Sequence, residues 1–86
     1  MNHTFLGVSL YPNPSDSYIT IEIHNTDRLP FNLLLYKENG MLVKEISNIN
    51  ITPYSLDVRS LSSGLYLIIL ERKTGNIFAA AKFVII

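Results

Sequence analysis

Apolar residues recur at every second position along most of this chain. Ile19, Ile21 and Ile23 alternate with Thr20, Glu22 and His24, the pattern of a strand with one face on a core and one in water. Phe31, Leu33 and Leu35 form the next inward set, and Tyr54, Leu56 and Val58 a shorter one across Ser55 and Asp57. Between these runs stand turn signals at Pro12 to Asp16, Asn25 to Pro30, Glu38-Asn39-Gly40, Asn48 to Pro53, Ser60 to Gly64 and Thr74-Gly75-Asn76. No interval between them is long enough for a convincing amphipathic helix. The pattern predicts an all-β chain, an immunoglobulin-like Greek-key β-sandwich of about seven short strands.

Local chemistry places two hairpins. Asn39-Gly40, between Leu33 to Tyr36 and Leu42 to Ile46, offers two residues that tolerate positive φ, as a tight hairpin requires. Thr74-Gly75-Asn76 does the same between Leu65 to Glu71 and Ile77 to Val84. The run Leu65 to Leu70 is apolar on both faces, which predicts a central strand with its second face partly covered. Ala79-Ala80-Ala81 would suit a helix, but the stretch from Ile77 follows a turn and ends in Phe-Val-Ile-Ile, so a strand fits better.

Three landmarks punctuate this pattern. Pro12 and Pro14 each remove a backbone donor, and Pro14 pushes Asn13 toward extended geometry, so pairing of the strand Val8 to Tyr11 must stop there. Leu61-x-x-Gly64-x-Tyr66 reads as a corner: an apolar anchor, a glycine for the turn, and a tyrosine whose ring packs inward while its hydroxyl bonds back to the loop. The stretch Ala79 to Ile86 is apolar on both faces, relieved by one charge at Lys82. An edge of that composition invites another strand, including one from a second copy.

Composition narrows the classes. The chain has 86 residues, 48% hydrophobic and 16% charged, with seven Lys plus Arg against seven Asp plus Glu. One domain with a small but sufficient core is expected, and zero net charge gives no field that would steer it to nucleic acid or anionic lipid. Without cysteine there is no disulfide framework or thiolate site. The apolar run Leu65 to Leu70 is far below the roughly 18 residues of a membrane span. Residues 1–7 lack the features of a secretory signal and read as a linker or start segment of a piece of a longer precursor.

Candidate chemistry is sparse. His3 and His24 have no second ligand at metal spacing, and Asp16, Asp27 and Asp57 stand in or beside turns, where Asp bonds nearby amides. No nucleophile elbow surrounds any serine. Asn2-His3-Thr4 and Asn50-Ile51-Thr52 match the glycan acceptor pattern, a frequent chance match. The expectation is therefore no catalytic, cofactor-binding or metal residue, and no enzyme.

Taken in order, the strand before Pro12-Asn13-Pro14, the Gly40 hairpin, Leu61-x-x-Gly64-x-Tyr66 and the closing Lys82-Phe83-Val84 resemble the C-terminal sorting domain of cargo exported by the type IX (Por) secretion system of certain Gram-negative bacteria. The resemblance covers nearly all of Val8 to Ile86, read as the sorting domain. It implies a covalently linked upstream cargo, passage through the periplasm, recognition by the secretion machinery, and delivery to the cell surface or medium after cleavage by a protease. It implies that Lys82, Phe83, Val84, Ile85 and Ile86 form the recognition tail. Ile69 departs from the family, where that position is often polar, and leaves Leu65, Leu67 and Ile69 as an unusually apolar outward set. The other class to weigh is an immunoglobulin- or fibronectin-like accessory module that binds glycan or spaces an enzyme, for which Tyr18 and Tyr36 would be members of an aromatic platform.

Overall fold

The computed structural model describes residues 3–5, 7–12, 14 and 16–86; Asn13 of the proline motif lies outside the described residues. Seven strands form where the alternation and the turn signals together place them: β2 (Val8–Tyr11), β3 (Tyr18–Ile23), β4 (Phe31–Lys37), β5 (Leu42–Ile49), β6 (Tyr54–Asp57), β7 (Gly64–Arg72) and β8 (Ile77–Ile85). An eighth, β1 (His3–Phe5), falls in the stretch read as a linker and pairs antiparallel with β2. It carries no alternation long enough to announce itself.

The strands make two four-stranded sheets, in the orders β1-β2-β3-β6 and β5-β4-β7-β8. All pairings are antiparallel. After β3 the chain crosses to lay down β4 and β5, returns for β6, and crosses again for β7 and β8. The result is a β-sandwich, as the spacing of the strands predicts.

The inward positions of both sheets meet in one core. Val8, Leu10, Ile19, Ile21, Ile23 and Leu56 come from the first sheet, and Phe31, Leu33, Leu35, Tyr66, Ile68, Leu70 and Phe83 from the second; all are buried. Each fully buried side chain of this kind contributes about 1.5–3 kcal/mol relative to exposure. Because β7 runs between β4 and β8, the sequence pattern and the topology agree that it is central.

The ends of the strands are closed by side chains. The Ile23 amide donates to Thr52 Oγ1 at 2.8 Å, replacing the ladder bond that β6, starting at Tyr54, is too short to supply. A register shift between Leu70 and Glu71 opens a bulge in the β7–β8 pair. Beside it Phe78 packs edge-on against Phe31, with ring centroids 6.2 Å apart. The Arg28 guanidinium lies 5.1 Å from the Phe78 ring centre and closes that end of the core.

Candidate functional site

The corner Leu61 to Tyr66 has the geometry its sequence predicts. Gly64 opens β7 at φ 152°, and Leu61 packs against the core. The buried Tyr66 ring stacks on Phe83 at 5.8 Å, and its hydroxyl donates to the Ser62 carbonyl at 2.7 Å. The corner therefore ties the loop to β7 and, through Phe83, to β8. That role is architectural, since ring and hydroxyl are both engaged within the fold.

The remaining landmarks sit near the same end of the sandwich. Gly40 takes φ 89° in the β4–β5 turn, donating to the Lys37 carbonyl at 2.8 Å, and the Met41 amide bonds to Asn39 Oδ1 at 3.0 Å. Pro12 and Pro14 are exposed where β2 ends. Asp57 and Arg59 close the β6 end as a two-point ion pair, Nε to Oδ1 at 3.1 Å and Nη2 to Oδ2 at 2.8 Å. Hydrogen bonds from the Arg59 side chain and backbone amide lower the Asp57 pKa from 3.8 to about 2.

The five tail residues separate by face. Phe83 and Ile85 are 1% and 3% exposed in the core, whereas Lys82, Val84 and Ile86 face solvent. Of the five, the second group is the one on the surface. Strand alternation decides this: Phe83 opposes Tyr66, and Lys82 opposes Leu67, which points outward.

The two outer faces differ in kind. On the first sheet the outward positions are Ser9, Tyr11, Thr20, Glu22, Ser55 and Asp57, the polar face usual for an antiparallel sheet in water. On the second, the register aligns Leu42, Tyr36, Leu67 and Lys82 in one row across the strands, and Glu45, Leu34, Ile69 and Ala80 in the next. Leu65 and Val84 flank the first row. A groove of about 440 Å³ runs over Tyr36, Leu65, Leu67 and Ile69 to Lys82. Leu65, Leu67 and Ile69 are the outward set read from sequence; Leu34, Tyr36 and Leu42 join them only through strand pairing. The apolar run Leu33 to Tyr36 carried the signal, as a second segment apolar on both faces.

Other chemistry is thin. Ser9 Oγ and His24 Nε2 lie 2.9 Å apart on the exposed face of the first sheet. Among the described residues no group of three His, Cys, Asp or Glu could hold a metal ion, and no helix is long and apolar enough to cross a membrane. Tyr18 and Tyr36 stand on opposite sheets, and Arg59 lies over the Tyr18 ring at 5.0 Å, so they form no common platform.

Comparison with known proteins adds one finding that fits this geometry. No curated protein matches the chain. The family model for the secretion system C-terminal sorting domain matches residues 9–86, taking in β2 from its second residue and all of β3 through β8, the corner and the exposed residues of the tail. The chain belongs to the secretion system C-terminal sorting domain family, the sorting domains of the type IX system.

Proposed function

We propose that this domain directs a covalently attached protein from the periplasm across the outer membrane by the type IX route, and that a protease then removes it. The family match over residues 9–86 carries this reading. The domain acts by being bound and performs no chemistry. The machinery reads the outward side chains of the tail, Lys82, Val84 and Ile86, while Phe83 and Ile85 hold the strand in place from within the core. The alternation along β8 supports this division, since a buried ring cannot meet a partner without unfolding the sandwich.

A reporter with a periplasmic signal, fused ahead of the 86 residues in a type IX-competent host, tests the proposal. The fusion is expected at the cell surface or in the medium. Deleting residues 82–86 is a poor probe, because it removes Phe83 and Ile85 from the core. Lys82→Glu instead reverses an exposed charge, and a surface change of this kind alters stability by about 0.5 kcal/mol or less. Retention of that variant in the periplasm with an unchanged melting midpoint would place recognition at Lys82. A wild-type fusion that stays in the periplasm would overturn the sorting function itself.

A further inference from the structure

The apolar outer face of the sheet β5-β4-β7-β8 has a charge arrangement that a second copy of the chain complements. The patch is Leu34, Tyr36, Leu65, Leu67 and Ile69, with Lys82 at its β8 margin and the exposed Glu45 at its β5 margin. Opposite charges thus flank an apolar centre on opposite sides. We propose that two copies pack these faces together about a twofold axis parallel to the strands, between β4 and β7.

The charges select that axis. Rotation about it keeps each row at its own height and lays β8 of one copy over β5 of the other. Lys82 then faces the Leu42 side of the partner copy, one row from its Glu45, a step of about 7 Å that a lysine stem can span. The same pair forms twice. An in-plane axis across the strands would instead stack β8 on β8 and β5 on β5, so that Lys82 of one copy would have no Glu45 of the other across from it. A chain with zero net charge offers no general repulsion to either arrangement.

Area is adequate. Eight residues at about 3.4 Å and four strands at about 4.8 Å give a footprint of roughly 500 Å² per copy, near the total of about 1,000 Å² at which specific interfaces begin. Sheets stacked face to face in this aligned manner are a standard packing. An interface of this modest size dissociates readily, so the pairing is reversible. It also covers Lys82, which makes pairing and recognition of the tail mutually exclusive: the monomer presents the tail, and the dimer hides it.

Sedimentation equilibrium of the purified 86-residue chain, from about 1 µM to 1 mM, is the test, with thermal melts confirming that each variant is folded. A monomer–dimer equilibrium is expected, weakened at least tenfold by Leu67→Asp and by either Lys82→Glu or Glu45→Lys alone. The double exchange Lys82→Glu with Glu45→Lys restores it. A monomer throughout the concentration range would overturn the proposal. So would a dimer that survives Leu67→Asp, the mark of pairing along the β8 edge, or a double exchange no tighter than its single parents.

Discussion

Tyr66 joins two interactions that substitution can separate. Its ring is 2% exposed and stacked on Phe83, and its hydroxyl bonds the Ser62 carbonyl. Tyr66→Phe keeps the ring and deletes the bond. Ser62 is exposed, so water can reach its carbonyl in the variant, and the expected loss is that of an ordinary hydrogen bond, about 1 kcal/mol. In a domain of this size that lowers the melting midpoint by about 4–8 °C. Tyr66→Ala also removes a buried ring and leaves Phe83 without its neighbour, a loss of about 3–5 kcal/mol. That is a large share of the total of about 5–15 kcal/mol typical of a domain, so the variant's melting midpoint should fall well below that of Tyr66→Phe. Ser62→Ala is the control, because it removes only the 3.3 Å contact with Ser62 Oγ and keeps the carbonyl. Thermal melts followed by circular dichroism read all three. Wild-type midpoints for Tyr66→Ala would refute the corner as an anchor, and equal losses in Ser62→Ala and Tyr66→Phe would assign the bond to the wrong oxygen.

Two further outcomes follow from individual contacts. Thr52→Val should leave the Ile23 amide without its acceptor and cost about 1–3 kcal/mol, whereas Thr52→Ser should stay near wild type; equal denaturation midpoints for the two would show that the hydroxyl is dispensable. Asp57, lowered from 3.8 to about 2 by Arg59, should titrate near pH 2 by NMR, and Arg59→Gln should return it toward 3.8. Because the folded value is the depressed one, the stabilisation is present above about pH 4 and fades as pH falls toward 2. It should be small, since the pair is largely solvated and screened. An Asp57 midpoint unmoved by Arg59→Gln would count against the pair.

Much of this fold is written locally. Period-two alternation in Ile19 to Ile23 and Phe31 to Leu35 sets both the strand and its buried face, because a strand has only two sides and water disfavours one of them. Pro12 fixes where a strand stops by its locked φ and missing donor, Gly40 and Gly64 fix where the chain turns by their backbone freedom, and Tyr66 declares the corner by its place after Gly64. Such signals need no knowledge of distant residues. They fade where a segment is apolar on both faces, as in Leu65 to Leu70 and Ala79 to Ile86, or too short to show a period, as in β1. Only tertiary structure then decided that Phe83 and Ile85 turn inward while Lys82 and Val84 turn out, because β8 takes its register from β7. The same holds for the outer face. Leu42, Tyr36, Leu67 and Lys82 come from four strands spread over 47 positions, 36 to 82, and meet in one row only because β4 and β7, far apart in sequence, pair side by side. Sheet order is a long-range choice, set by which faces can be buried together, and no local periodicity encodes it.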